Sequence, residues 1–248
     1  MRTYHFPLDL VRERSPERPV ALVRPAAVSV AARWFQDNLK ADVFYAVKAN
    51  PSRWVIETLV QAGVTGFDVA SLAEIELVRS VSPDARLAFM HPVKSRAAIT
   101  RAYFDHGVRT FSLDCEDELQ KILDCTGGAT DLNLIVRMAV SAEGAAYTLS
   151  GKFGVSTDQA PGLLLAVRQA VVDGLMGVSF HVGSQCMRPT AFQAAMAQVG
   201  RSISRAGVIV DIVDVGGGFP SVYPGMVPPD MSEYADAIHR GFNEMPVS

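Results

Sequence analysis

The sequence has few cysteines, no excess of basic residues and no long apolar run. Its three cysteines, Cys115, Cys125 and Cys186, form no CxxC pair and have no histidine at a zinc-ligand spacing. The 23 Lys and Arg residues against 26 Asp and Glu leave a formal net charge of −3, without the basic stripe of a nucleic-acid-binding protein. No apolar stretch approaches the ~20 residues of a membrane span, and residues 1–19 do not resemble a signal peptide. These absences predict a cytoplasmic protein that binds a small molecule.

Short apolar or β-branched runs alternate with helix-forming stretches along most of the 248 residues. After a loop rich in Arg, Glu and Pro, we expect strands at residues 19–23, 43–47, 66–69, 86–90, 110–113, 132–138, 177–182 and 209–215. We expect helices at residues 26–39, 52–62, 71–80, 95–106, 116–123, 157–172, 190–206 and 230–242. Such alternation predicts an α/β fold with parallel strands and right-handed crossovers.

Two architectures satisfy this pattern, a closed barrel and an open, doubly wound sheet. The length is close to the ~250 residues of an eight-stranded barrel, but only seven strands follow residue 42. Either the sheet is open or one strand is missing from the chain. Residues 141–154 are rich in small residues and predict a mobile loop after the fifth of these strands. In both architectures, the loops at the carboxyl ends of the strands bind ligands.

Lys48 lies in the run FYAVKANP, where the first of the seven strands ends. A lysine at the carboxyl end of an early strand faces the mouth of a barrel, and desolvation there would favour the neutral amine that forms imines. A solvated lysine is the alternative interpretation, which this motif by itself slightly favours. Val47 before it and Ala-Asn-Pro after it leave Lys48 as the only charged residue of the run.

Three glycines, Gly216, Gly217 and Gly218, follow the last predicted strand in VDVGGGFP. Without side chains, their amides can close around a phosphate, and barrels often bind phosphate after the seventh strand. A tight turn that needs positive φ is the alternative. The run is not GxGxxG with an acidic residue at the right distance, so dinucleotide binding is poorly supported.

Other polar residues stand at the ends of apolar strands. In SFHVGSQ, His181 could stack on an aromatic ligand and Ser184 could donate to a phosphate oxygen, although a lone histidine is more often structural. Arg137, Asp68 and Glu74 are each explained by an ion pair when taken singly, and His91 in FMHPVKS is ambiguous. Because parallel strands end on the same side of a sheet, one ligand would explain the whole set: an aromatic aldehyde that carries a phosphate.

The motifs YAVKANP, GFDVASLAEIELV, HPVKS, KFG, GVSFHVGSQ and VDVGGGFP, in this order and spacing, resemble the ornithine/lysine decarboxylase family. This group of enzymes also includes the diaminopimelate and arginine decarboxylases, and it depends on pyridoxal 5'-phosphate (PLP). The resemblance runs from about Val20 to about Phe242. It implies a TIM-type (β/α) barrel of the alanine-racemase-like kind, with residues 1–25 as an N-terminal segment and residues 26–248 as the PLP-binding domain.

The resemblance also implies roles for single residues. Lys48 would hold PLP as a Schiff base and act in proton transfer, and His181 would stack on the pyridine ring. The phosphate would be held by Ser184, Gly216, Gly217 and Gly218. Arg137 would lie near the polar edge of the ring, while Asp68 and Glu74 would support the lysine and the wall of the site. No metal is expected.

The sequence departs from the family at its C-terminal end. The Glu-Pro-Gly-Arg motif of the eighth strand should follow soon after Met245, but the chain ends at Ser248. We therefore expect a barrel truncated before its eighth strand and lacking the C-terminal β-domain, inactive by itself. The whole protein would decarboxylate ornithine, and possibly lysine, to a diamine of polyamine biosynthesis, as a homodimer. A diaminopimelate or arginine decarboxylase, a racemase, or a non-catalytic regulatory homologue are the alternatives.

Overall fold

The structure, a computed structural model, describes residues 2–141 and 151–246 and the backbone of residues 145–147. Six of the fourteen residues of the loop predicted at residues 141–154, namely 142–144 and 148–150, lie outside the described residues. The strands are β1 (Phe44–Ala46), β2 (Gly66–Val69), β3 (Arg86–Phe89), β4 (Thr110–Leu113), β5 (Asn133–Arg137), β6 (Ala145–Tyr147), β7 (Met176–Ser179), β8 (Ser184–Cys186) and β9 (Ile212–Asp214). A short 3₁₀ turn, Val47–Ala49, follows β1.

In the part of the chain that the structure describes, two helices precede β1, and the other seven lie between or after the strands. The helices are α1 (Pro7–Arg14), α2 (Pro25–Asn38), α3 (Arg53–Gln61), α4 (Leu72–Val81), α5 (Arg96–Phe104), α6 (Glu116–Cys125), α7 (Ala160–Ala170), α8 (Thr190–Ala206) and α9 (Met231–Asn243). Serines begin two of them directly after a strand and its loop. The Ser71 hydroxyl accepts the Glu74 amide hydrogen, and the Ser95 hydroxyl accepts that of Ala98, which stabilises the first turns of α4 and α5. No helix in the described ranges is long and apolar enough to cross a membrane.

Seven strands form one parallel sheet in the order β1-β2-β3-β4-β5-β7-β9, while β6 and β8 pair separately as an antiparallel ribbon. This order follows the chain without reversal. A doubly wound sheet would reverse its order after the first strands, so the sheet is of the barrel type. Its strands are apolar on both faces because one face lines the barrel and the other packs against helices. Phe89 and Phe111, which are register partners on β3 and β4, are both buried in this core.

The sheet is open between β1 and β9, which do not pair with each other in the described part of the chain. The helical layer nevertheless meets across this gap. The His239 ring on α9 lies 2.8 Å from the carbonyl oxygen of Leu39 after α2, and Phe35 on α2 packs against Phe219 after β9. The helices α2 and α9 are thus neighbours, although the edge strands β1 and β9 do not pair among the described residues.

The predicted alternation of strands and helices is confirmed, but two predictions near the N-terminus are wrong. Residues 19–23 form no strand. Val20 and Leu22 are about half exposed, and no neighbouring strand offers them hydrogen bonds. The loop expected before them contains α1, since Pro7 occupies its first turn and the Asp9 carboxylate accepts the Phe6 amide hydrogen. Local composition did not reveal either outcome.

Candidate functional site

The carboxyl ends of the main-sheet strands bring together residues that are far apart in sequence. These residues are Lys48 after β1, Asp68 in β2, Arg137 at the end of β5, His181 after β7 and Asp214 at the end of β9. Both cations, Lys48 and Arg137, act electrostatically on Asp68, His181 and Asp214. Five strand ends of the barrel therefore contribute to one polar cluster.

Lys48 lies beside Asp68, with 3.9 Å between its Nζ and the nearer carboxylate oxygen. Ala46 and Asp68 are register partners on β1 and β2, and this pairing brings the two side chains together. The expected desolvation of Lys48 is not found, because 61% of its side chain is exposed against 23% for Asp68. Val47 takes the buried position, and the 3₁₀ turn then places the next side chain in solvent. The amine is accessible and held by a single long contact.

Burial and competing charges together set the pKa of the Asp68 carboxyl. Burial is the main cause that raises its pKa to about 6; the cations of Lys48 and Arg137 oppose this change, and the carboxylates of Asp214 and Glu74 add to it. A carboxyl with a pKa near 6 is present in both protonation states near neutral pH, so it can donate or accept a proton within the site.

His181 is held as a neutral ring. Its Nδ1 accepts the Gly183 amide hydrogen over 2.9 Å, which places the ring proton on Nε2. Burial, together with the nearby cations Arg137 and Lys48, lowers the pKa of His181 to about 4. A neutral imidazole presents a flat face to an aromatic ring without placing another cation in the site.

The glycine turn is built by close backbone approach. Gly216 and Gly218 have φ of +70° and +97°. A Cβ on Gly216 would lie 2.3 Å from the Phe180 carbonyl oxygen, and one on Gly218 would lie 2.0 Å from that of Gly183 and 3.1 Å from the His181 ring. Larger residues are therefore excluded at both positions, and the turn lies directly against the histidine.

The amides of this turn are arranged for an anion. Asp214 accepts the Gly216 amide hydrogen over 2.8 Å, whereas the amides of Gly217 and Gly218 donate to no atom in the part of the chain that the structure describes. A Cβ on Gly217 would meet nothing within 4 Å. Successive amides in a turn of this kind form a concave site that attracts phosphate or carboxylate groups.

Two residues assigned from the resemblance are less central. Ser184 begins β8 and is exposed, and its side chain makes no hydrogen bond to the glycine turn in the described part of the chain. Its strand does adjoin the turn, because the Cys186 amide donates to the Gly218 carbonyl over 2.9 Å. Glu74 accepts the Ala70 amide hydrogen over 2.8 Å, so it fixes the start of α4. Their roles toward a ligand stay predictions.

Sequence reasoning missed Asp214. This carboxyl accepts the Gly216 amide hydrogen, faces the cations of Arg137 and Lys48, and has its pKa raised by burial. Its signal was present in VDVGGGFP, because a carboxylate is unusual inside an apolar strand that leads into three glycines. His91, left ambiguous before, lies edge-on to Phe153 with ring centroids 5.0 Å apart.

The residues present fit a phosphorylated aromatic aldehyde. An accessible amine would react with the aldehyde, a flat neutral imidazole would stack on the ring, and two unpartnered amides would receive the phosphate. The cluster does not resemble a metal centre, since no group of three His, Cys, Asp or Glu residues in the described ranges could hold a metal ion.

Comparison with known proteins agrees with this chemistry. Residues 26–246 match the family described as pyridoxal-dependent decarboxylase, pyridoxal binding domain. The chain is 32% identical to the lysine/ornithine decarboxylase of Selenomonas ruminantium over 210 residues, 83% of this chain and 52% of the relative. It is 36% identical to the ornithine decarboxylase of Mus musculus over 192 residues, 76% of this chain and 40% of the relative.

The fold agrees as well. A crystal structure of lysine decarboxylase from Selenomonas ruminantium superposes with a TM-score of 0.83 at 28% identity, covering 99% of this chain and 64% of that one. The chain spans about half the length of the curated relatives that it matches. Both the barrel type and the expected family are confirmed. The chain belongs to the pyridoxal-dependent decarboxylases, and it corresponds to their pyridoxal-binding domain.

Proposed function

We propose that this chain is the cofactor-binding part of an enzyme that decarboxylates a basic L-amino acid, ornithine first and lysine second. The product would be a diamine, as in polyamine biosynthesis. The observation that carries the proposal is the convergence of Lys48, a neutral His181 and the Gly216–Gly218 turn at one end of the barrel. PLP, when bound, supplies a ring that accepts the electron pair left by the departing carboxylate.

Each residue would have a defined task. Lys48 would hold the cofactor through its aldehyde and would move protons at its Nζ, with Asp68 as its neighbouring acid or base 3.9 Å away. His181 would stack on one face of the ring and fix its orientation. The Gly217 and Gly218 amides, together with Ser184, would hold the phosphate.

Arg137 would lie at the polar edge of the ring. Its guanidinium interacts with the carboxylates of Asp214, Asp68 and Asp114, which balance its charge. Asp114 also accepts the Gly154 amide hydrogen over 2.9 Å. These carboxylates allow the cation to remain beside the site although its environment is poorly hydrated.

Covalent labelling tests the assignment of Lys48. We expect the chain to bind one PLP, and borohydride reduction to fix the cofactor to the Lys48 peptide, as peptide mass spectrometry would show. Lys48→Arg should lose this label. Lys121→Arg is the matched control, because this lysine lies on α6, pairs with Glu118 and should leave labelling unchanged. A label on another lysine, or one retained in Lys48→Arg, would exclude the proposed role.

The substrate is tested with the full-length protein, because the chain covers only part of its relatives. Carbon dioxide release from ornithine, lysine, arginine and diaminopimelate should be compared at equal concentrations. We expect ornithine to give the highest kcat/KM, with lysine next. Release from neither ornithine nor lysine would remove this branch of the family from consideration.

We further propose that the full-length protein is a cytoplasmic homodimer. The free cysteines Cys115, Cys125 and Cys186 support a reducing compartment, and the family resemblance supports a two-fold dimer. Light scattering on the full-length protein should give twice the protomer mass, and a monomer would contradict the proposal. Residues 1–25 would form a separate segment, which is supported by α1, where no residue is buried.

A further inference from the structure

We propose that Tyr234 on α9 is a positioning residue for the phosphate cradle, defined as β8 together with the Gly216–Gly218 turn. The inference rests on the proposed function, since it assigns a residue to the cofactor's phosphate. Tyr234 would act without touching the cofactor, by fixing the backbone that binds it.

A chain of two hydrogen bonds connects Tyr234 to the turn. Its fully buried hydroxyl donates to the carbonyl oxygen of Cys186 over 2.7 Å. The amide of the same Cys186 donates to the carbonyl oxygen of Gly218 over 2.9 Å. One residue of β8 therefore joins the tyrosine on one side to the glycine turn on the other. Burial raises the pKa of Tyr234 to about 12, so its hydroxyl remains a donor at neutral pH.

The aromatic ring of Tyr234 packs against the residue that follows the same turn. Phe219, the residue after Gly218, has its ring centroid 5.9 Å from that of Tyr234 at an interplanar angle of 78°. Phe192 of α8 stacks on Phe219 at 5.1 Å, and Phe35 of α2 meets its edge at 5.2 Å. Three helices therefore fix the side chain that follows the phosphate-binding amides.

A second link makes the cradle one unit. The Gln185 side chain accepts the Ser221 amide hydrogen over 2.9 Å and donates back to the Ser221 carbonyl oxygen. Together with the bond between Cys186 and Gly218, this link connects β8 to residues 218–221 at two points. Tyr234 ties this unit to α9 through its hydroxyl.

A single substitution can remove the Tyr234 hydroxyl and leave the packing of its ring intact. Tyr234→Phe would keep the ring contacts with Phe192 and Phe219 and would remove only the hydrogen bond to Cys186. A tyrosine needed only to fill the core would tolerate this change. A tyrosine that positions the cradle would not, because the Cys186 carbonyl would lose its buried donor and the attached turn would gain freedom.

The test compares two ligands that differ only in the phosphate. Dissociation constants for PLP and for pyridoxal, which has the same aldehyde and ring without phosphate, are measured on the wild-type chain and on Tyr234→Phe. We expect roughly tenfold weaker binding of PLP, a typical result of losing one buried hydrogen bond, and unchanged binding of pyridoxal. Tyr103→Phe is the matched control. Its hydroxyl donates to Asp131 at the opposite end of the barrel, so both constants should stay unchanged.

The ratio of the two constants decides between the outcomes. Because both ligands report on the same folded molecules, partial unfolding of Tyr234→Phe leaves the ratio unaffected. An unchanged ratio, whether both ligands weaken or neither does, would overturn the positioning role while leaving the proposed function intact. Binding of neither ligand by the wild-type chain would overturn the proposed function, and this inference with it. Faster hydrogen exchange at the Cys186 amide in Tyr234→Phe would support the inference independently.

Discussion

Two lysines at the carboxyl ends of nearby strands have opposite surroundings. Lys48, after β1, is largely exposed and makes one ion pair at 3.9 Å. Lys94, after β3, has a fully buried side chain whose Nζ lies 2.9 Å from Glu118 and donates to the carbonyl oxygens of His91 and Ser112 over 3.0 and 2.5 Å. Burial lowers the pKa of Lys94 to about 8, and Glu118 opposes this change, so the amine is charged at neutral pH.

The difference distinguishes a structural polar group from one available for a ligand. The Lys94 region satisfies all three donors of its ammonium within the protein and leaves no access for a substrate. The Lys48 region keeps an accessible amine, and the glycine turn at the same end of the barrel keeps two amides that have no partner in the described structure. From sequence, both lysines follow an apolar strand and precede a short polar loop, so only tertiary structure separates them.

The largest expected effect comes from removing the buried cation. Lys94→Met should destabilise the chain by about 3–5 kcal/mol, because Glu118 would keep only the partly exposed Lys121 and the carbonyl oxygens of His91 and Ser112 would lose their donor. Lys48→Met should change the free energy of unfolding by less than about 1 kcal/mol, since an exposed pair contributes little. Urea unfolding measures both. Equal losses in the two variants would abolish the distinction between the regions, and recovery on adding Glu118→Leu to Lys94→Met would strengthen it.

A smaller effect on stability is expected within the glycine turn, where Gly218 is tightly packed and Gly217 is not. Gly218→Ala should destabilise the chain by about 2 kcal/mol, because the residue has positive φ and its Cβ would lie 2.0 Å from the Gly183 carbonyl oxygen. Gly217→Ala should change stability by less than about 1 kcal/mol, because its Cβ would meet open space. Similar unfolding midpoints for the two variants would show that the turn is not tightly packed.

Much of the fold could be predicted from local sequence. The limits of Gly66–Val69, Thr110–Leu113 and Thr190–Ala206 are those expected, since an apolar run bounded by turns, or a 3.6-residue period, is a local signal. The apolar run at residues 19–23 carries the same signal and forms no strand. What it lacks is a neighbouring strand, which local sequence does not encode.

The site could be predicted in outline and not in its electrostatics. Because parallel strands end on one side, the sequence alone assigns Lys48, His181 and the glycine turn to one mouth of the barrel. The exposure of Lys48 depends on the 3₁₀ turn after Val47, and the role of Asp214 depends on Arg137 from another strand. Both are long-range properties.

The smallest predicted effect is on the pH dependence of stability, to which Asp68 and His181 contribute in the acid range and Lys94 does not. Burial raises the pKa of Asp68 from 3.8 to about 6, so its folded form binds the proton more tightly and stability from Asp68 is lost as pH rises through 6. The pKa of His181 falls from 6.5 to about 4, so stability from His181 is present above 6.5 and is lost as pH falls toward 4. Lys94 titrates near 8, outside this window.

Single variants should therefore expose slopes that cancel in the wild-type chain. From pH 6.5 to 4.5, His181→Asn should gain and Asp68→Asn should lose about 1 kcal/mol relative to wild type, after allowance for the partial exposure of both groups. Urea midpoints at half-unit pH intervals measure the slopes. Parallel curves for the two site variants would mean that Asp68 and His181 are solvated like ordinary surface groups. The Lys48 region would then not differ chemically from the rest of the surface.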